Sequence, residues 1–177
     1  MPWCAPQRLS CWGGAAARKA LADKTRCVRL AAGWSLFPNL PAGHPGLQEM
    51  LETATHQSDQ PTGAMQLAML AGARGDAATA DAQYRRAVER DPASAVARMD
   101  YAVFLAQQNR PVDALREMLA CAAAHPQNAE VQYRLGLILI ELRQYRPALR
   151  AMQKAAQLDP QHTAAARALH QLKAFIR

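Results

Sequence analysis

The sequence is poor in aromatic residues and contains no long apolar run. Phe, Trp and Tyr make up only 6% of the 177 residues, so large rings cannot fill most of a core. No apolar stretch reaches the roughly 18 residues that a bilayer requires, which argues against a membrane-spanning helix. Apolar and polar residues nowhere alternate with period two over a useful length, so we expect no β-sheet.

Sequence signatures of enzymes and metal sites are also missing. HExxH, GxSxG and a glycine-rich phosphate loop do not occur. The four cysteines form no CxxC motif or Cys/His cluster, and the five histidines are scattered. We therefore predict no enzymatic activity, no metal and no other cofactor.

Acidic residues are depleted at one end of the chain. Residues 1–48 carry six basic side chains against Asp23 alone, whereas the remaining 129 residues carry 15 basic and 13 acidic side chains. The net charge of +7 is therefore mainly a property of the N-terminal segment. No basic patch with stacking aromatics follows it, so we predict no nucleic-acid partner.

Residues 1–43 form a basic segment that we interpret as disordered or as a targeting signal. Scattered arginines with few acids are typical of transit peptides, and Arg26 and Arg29 precede a short apolar run that a bacterial signal would need. A lipid-attachment site at Cys11 lacks a preceding apolar run, and a misassigned start codon is a further alternative. The compartment stays unknown: the cytoplasm is favoured, and a membrane-associated or periplasmic location would follow from a targeting signal.

A repeat organises the rest of the sequence. Pro92, Pro126 and Pro160 are 34 residues apart, and a period of 34 in an alanine-rich sequence indicates stacked helical hairpins. Alignment on these prolines gives three units at 61–94, 95–128 and 129–162. Small and large residues then recur in register at five positions: Leu67, Tyr101 and Leu135; Ala68, Ala102 and Gly136; Ala80, Ala114 and Ala148; Tyr84, Met118 and Met152; Ala87, Cys121 and Ala155.

This pattern resembles the tetratricopeptide repeat (TPR) family over about 100 of the 177 residues. In the last unit Leu135, Gly136, Ala148 and Pro160 match the family motif, while Gln132, Leu139 and Met152 replace its aromatic residues. The resemblance implies an all-α fold, a right-handed α-solenoid of antiparallel helix hairpins. We predict a helical domain at 44–177, with a capping helix at 163–177 and Cys121 as a buried thiol. We place its hairpin helices near 61–73, 77–90, 95–108, 111–124, 129–142 and 145–158.

The resemblance also implies a concave groove lined by the first helix of each hairpin. The stripe expected there is apolar and lacks the lysine, arginine and asparagine with which some members clamp a carboxylate. We predict the groove residues Met65, Met69, Met99, Val103, Tyr133, Leu137 and Ile140. Some of them could instead face a neighbouring helix or be covered by the N-terminal segment.

The function predicted from these features is a protein-interaction scaffold or adaptor. Its partner would be a protein or peptide that places an apolar or amphipathic segment in the groove, as flexible methionines allow. An alternative is a membrane-tethered accessory factor in bacterial pilus assembly or secretion, with residues 1–43 as its targeting signal. Membrane association and self-association both stay open.

Overall fold

The computed structural model describes residues 14–41 and 43–176, and these ranges contain ten α-helices and no strand. The prediction of an all-α fold is therefore confirmed. The helices are α1 (Gly14–Ala20), α2 (Arg26–Leu36), α3 (Pro45–His56), α4 (Pro61–Ala73), α5 (Ala77–Arg90), α6 (Ala95–Gln107), α7 (Pro111–Ala124), α8 (Ala129–Glu141), α9 (Tyr145–Leu158) and α10 (Thr163–Ile176).

The six helices from α4 to α9 lie where the 34-residue repeat places them, within one residue at each end, and α10 matches the predicted capping helix equally closely. Local chemistry explains where they begin. Ser94 and Asn128 accept hydrogen bonds from the backbone N–H groups of Ala97 and Val131, at 3.3 and 3.2 Å, and so cap α6 and α8. Pro61 and Pro111 occupy the first turns of α4 and α7, where a proline leaves no intrahelical donor unpaired.

The turn inside each repeat holds one residue with a left-handed backbone. These residues are Gly75, Asn109 and Arg143, with φ angles of 78°, 57° and 58°, and they are spaced by the same 34 residues. The shared geometry explains how different sequences close the same hairpin turn. Glycine and asparagine suit this conformation, whereas arginine adopts it at a cost.

The chain contains two compact units, residues 1–80 and residues 81–177. The core of the first unit is formed by Met50, Ala54 and Leu70. Several half-buried apolar residues pack against it, namely Leu30, Trp34, Phe37, Leu40, Leu47, Leu51 and Leu67. An ion pair of 2.6 Å between Arg29 and Glu49 joins α2 to α3.

The N-terminal segment differs from the expectation that residues 1–43 are poorly structured. Residues 14–36 contain α1 and α2, and α2 packs on α3. Leu30, Trp34 and Phe37 follow one another at i, i+4 and i+7, so they share one apolar face, and that face lies on the core of the unit. Residues 1–13, including Cys11 of the suggested lipid-attachment site, and Ala42 lie outside the described residues.

The second unit is built from interleaved small and large side chains. Tyr84, Met118 and Met152 are buried, and so are the alanines and the cysteine at the paired small positions. A Cβ on Gly136 would lie 2.7 Å from Cε of Met152, so α8 and α9 meet closely at this glycine. Cys121 is a buried free thiol, as predicted, and burial raises its pKa. The capping helix α10 packs on α9.

Candidate binding groove

A cavity of about 350 Å³ lies in the second unit between α6, α7 and α8. This volume falls in the range of sites that take ligands or side chains of a partner. Its lining residues come from all three helices: Val103, Ala106, Gln107, Met118, Glu130, Tyr133, Arg134, Leu137, Ile138 and Glu141. The register of the repeat brings them together, because α6 and α8 are the first helices of successive hairpins.

One side of the groove is apolar and accessible. Val103 and Leu137 expose 37% and 42% of their surface, although both are aliphatic. Tyr133 lies one helical turn before Leu137 on the same face of α8, and it is half-buried. Covering such side chains would remove apolar surface from water, at about 25 cal/mol per Å². An accessible apolar stripe at a cavity is therefore a surface that favours contact with a partner.

The other side of the groove is charged. Arg134 forms an ion pair with Glu130 one turn earlier on α8. The Nε2 atom of His162 lies 2.9 Å from the second oxygen of Glu130, so the loop before α10 is tied to the groove. Burial raises the pKa of Glu130, but its hydrogen bonds with Arg134 and His162 outweigh this effect, and the pKa is lowered. Glu141 adds a further carboxylate at the end of α8.

Asp100 supplies a carboxylate next to this cavity. It precedes Val103 by three residues and Gln107 by seven, so it shares a face of α6 with two lining residues. The pKa of Asp100 is raised because burial disfavours the charged form, and the positive charge of Arg134 offsets this only in part. Among the described residues, none forms a hydrogen bond or a short ion pair with the Asp100 carboxylate.

The predicted groove residues are distributed over both units. Val103, Tyr133 and Leu137 line the cavity. Met99 and Ile140 are half-buried in the same unit and are not among its lining residues. Met65 and Met69 are half-buried on α4, in the first unit. The role of all seven residues in binding stays a prediction.

The acidic members of the groove were not among the predicted site residues. Glu130 lies three residues before the predicted Tyr133, and its spacing of four from Arg134 is the signal of an ion pair. Asp100 lies beside the stripe, and its burial could not be read from one isolated sequence. Arg98, on the same helix, is bound at 2.6 Å by Glu117 of α7, so its charge is already compensated.

No group of three His, Cys, Asp or Glu side chains in residues 14–41 and 43–176 is close enough together to hold a metal ion. Over the same ranges, none of the helices combines the length and the hydropathy needed to cross a bilayer.

Comparison with family models places the repeat in a known class. Two models described as tetratricopeptide repeat match the chain, one over residues 129–162 and the other over residues 73–132. Together they span residues 73–162, just over half of the chain. The chain belongs to the tetratricopeptide repeat family. It has three TPR units and a capping helix, as the 34-residue period predicted.

Solved structures show the same fold. A thermophilic TPR protein from Thermus thermophilus matches with a TM-score of 0.72 at 14% identity, covering 91% of this chain and 89% of that chain. MamA from Desulfovibrio magneticus RS-1, residue 41 to the end, matches with a TM-score of 0.64 at 23% identity, covering 91% and 84%. The first TPR of Spaghetti (RPAP3), bound to the HSP90 peptide SRMEEVD, matches with a TM-score of 0.60 at 15% identity, covering 67% and 94%. No curated protein is significantly similar to this chain in sequence.

These likenesses establish the TPR solenoid fold. TPR proteins are generally interaction modules without catalytic function, and the fold supports a protein–protein interaction scaffold for this chain. The partner and the groove residues that contact it are not given by the family.

Proposed function

We propose that this TPR protein is a non-catalytic adaptor that binds an apolar or amphipathic segment of a partner protein in the groove of its second unit. The observation that carries the proposal is the pair of accessible aliphatic side chains, Val103 and Leu137, at a cavity of about 350 Å³. The buried floor beneath them, Met118 and Ile138, is fixed by the helix packing. A preformed site of this kind limits the conformational entropy that binding costs.

The comparison structures support a peptide as the ligand class. The TPR of Spaghetti binds a short peptide, which shows that a TPR array of this size can hold one. An amphipathic helix would place apolar residues at i, i+3, i+4 and i+7 into such a groove.

Selection from a displayed random-peptide library, with the full-length chain as bait, tests the proposal. The selected peptides are then measured by fluorescence polarisation against the double variant Val103→Gln/Leu137→Gln. We expect their Kd to rise at least about tenfold. Two apolar contacts are lost, and the glutamine amides that replace them must give up hydrogen bonds to water when the peptide covers them. Neutral glutamine is used so that the variant changes the apolarity of the groove without changing its charge.

A matched control exists elsewhere on the surface of the same unit. Val112 and Leu119 of α7 are 64% and 51% exposed and do not line the groove. The variant Val112→Gln/Leu119→Gln should bind the peptides within about twofold of the wild type, as expected for exposed sites outside the contact. Failure to select any peptide, or equal loss of binding in both variants, would refute the proposed function.

The alternative of a membrane-tethered accessory factor stays a prediction that mass spectrometry of the mature N-terminus can test. The fold restricts how a targeting signal could be processed. Cleavage close to residue 44 would remove Leu30, Trp34 and Phe37 from the core of the first unit. Processing that leaves this unit intact must therefore occur upstream of α2, and an intact Met1 would count against this alternative.

A further inference from the structure

The groove of the second unit is not electrically neutral. Asp100, Glu130 and Glu141 contribute three carboxylates at or beside the cavity, against the single guanidinium of Arg134. Glu130 and Arg134 form an ion pair and largely cancel each other. The excess charge of the groove is therefore negative, and it resides on Asp100 and Glu141.

Asp100 is the acid whose surroundings are most unusual. Burial disfavours its charged form, and the described residues provide no hydrogen-bond donor to its carboxylate. The charge of Arg134 acts on Asp100 through space, and the Nε of the same guanidinium donates to Glu130. The oxygens of Asp100 are not among the fully enclosed, unpartnered side-chain atoms of the described residues, so they keep contact with water in the free protein.

The position of Asp100 suits a residue that contacts a bound ligand better than one with a structural role. It lies one turn before Val103 on the face of α6 that reaches the cavity. Tyr84 of α5 is close enough for the charge of Asp100 to act on its hydroxyl, whose pKa is raised to about 12, mainly by burial. The spacing of three residues from Val103 and the electrostatic effect of the lining residue Arg134 place the carboxylate beside the apolar stripe, where a guest that covers Val103 and Leu137 would also reach it.

From this juxtaposition we infer that the guest is an apolar segment carrying a lysine or arginine, and that this basic side chain pairs with Asp100 while the apolar residues cover Val103 and Leu137. The inference rests on the proposed function and specifies its ligand. Such a pair would replace water at the Asp100 carboxylate with a charged donor. An acidic guest, such as the SRMEEVD peptide of the Spaghetti structure, would bring like charges together at Asp100 and Glu141.

The composition of the selected peptides gives the first test. Among peptides whose binding requires Val103 and Leu137, we expect lysine or arginine to be enriched at one fixed position relative to the apolar residues. Raising the salt concentration should lower the affinity of these peptides more than that of their uncharged derivatives, since part of the attraction is electrostatic. Enrichment of Asp or Glu, or no charge preference, would overturn the inference and leave the proposed function standing.

A double-mutant cycle gives the second test. The peptide with the highest affinity is compared with its Lys→Gln or Arg→Gln derivative, on the wild type and on Asp100→Asn. We expect the peptide substitution to weaken binding at least about fivefold on the wild type and less than about twofold on Asp100→Asn, a coupling typical of a close charge pair. Asp100→Asn keeps the size of the side chain, and circular dichroism confirms that the variant is folded.

Glu117→Gln serves as the control, because Glu117 belongs to the Arg98 ion pair and does not line the groove. The peptide substitution should have the same effect on this variant as on the wild type. A preference for the basic peptide that persists on Asp100→Asn would overturn the assignment to Asp100. The absence of any groove-dependent peptide would overturn the proposed function together with the inference.

Discussion

Arg143 is an exposed residue with a left-handed backbone, at a position that Gly75 and Asn109 occupy in the other two repeats. A side chain with a Cβ is strained in this conformation by about 1–2 kcal/mol, and asparagine is more tolerant than arginine. We predict that Arg143→Gly raises the free energy of unfolding by about 1 kcal/mol, after the entropy that glycine adds to the unfolded state is subtracted.

The equivalent turns provide the controls for this prediction. Asn109→Gly should stabilise less than Arg143→Gly, and Gly75→Ala should destabilise by about 1 kcal/mol. Urea unfolding followed by circular dichroism measures all three variants. A destabilising Arg143→Gly would mean that the arginine side chain contributes more than its backbone costs.

Asp100 allows a prediction on pH dependence. Its pKa in the folded protein is raised, mainly by burial, so the folded state disfavours the charged carboxylate. This cost is absent below the unfolded-state pKa, develops as the pH rises towards the folded-state pKa, and is complete above it. We predict that Asp100→Asn stabilises the free protein at neutral pH and that the gain disappears at a pH below the unfolded-state value.

Urea unfolding of the wild type and Asp100→Asn at a series of pH values measures this difference. A gain that does not change with pH would show that the charge of Asp100 is not its source. A carboxylate that lowers the stability of the free protein is what a binding residue, rather than a structural one, is expected to show.

At the scale of the element, helix α4 contains two glycines, one packed tightly against backbone and one with space for a side chain. A Cβ on Gly63 would lie 1.9 Å from the backbone oxygen of Gln57, whereas a Cβ on Gly72 would meet nothing closer than 3.9 Å. We predict that Gly63→Ala destabilises the first unit by about 3 kcal/mol or more, because the backbone of the preceding turn must move. Gly72→Ala should be neutral or stabilise by about 0.5 kcal/mol, because alanine favours the helix.

The two substitutions are chemically identical. The difference between their effects on stability therefore reports the close contact of Gly63 with the backbone of Gln57. Thermal unfolding of both variants measures it. Similar midpoints for Gly63→Ala and Gly72→Ala would show that the turn at Gln57 adjusts without cost.

The helices could be predicted from the sequence where the same residue types recur at a fixed period. Prolines, caps and small residues recur every 34 positions, so the helix ends from α4 onward were predicted to within a residue. Helix α2 was missed because Leu30, Trp34 and Phe37 fall in a segment that was interpreted as disordered or as a targeting signal, although their spacing is that of one helical face. Likewise the apolar stripe of Val103 and Leu137 was predicted from its register, whereas Asp100 depends on burial by other helices, which a single sequence does not reveal.

At the scale of the whole molecule, the chain consists of two units, and the first depends on α2. Residues 26–41 provide Leu30, Trp34, Phe37 and Leu40, which pack on the core of Met50, Ala54 and Leu70. Removal of these four apolar side chains exposes the surface that they cover, at a cost of about 1 kcal/mol or more for each. Truncation of residues 1–41 should therefore loosen α3 and α4.

Hydrogen exchange measured by mass spectrometry can localise this effect. We predict that the amides of α3 and α4 exchange about 1,000-fold faster or more in the protein lacking residues 1–41 than in the full chain, because about 4 kcal/mol or more of local stability is lost. The matched truncation lacking only residues 1–13 retains all four packing residues and should preserve the protection of α3 and α4. Amides of α8 and α9, in the second unit, serve as the internal reference. Equal protection of α3 in the two truncated proteins would show that the first unit does not need α2, and the N-terminal helices would then be accessory to the repeat array.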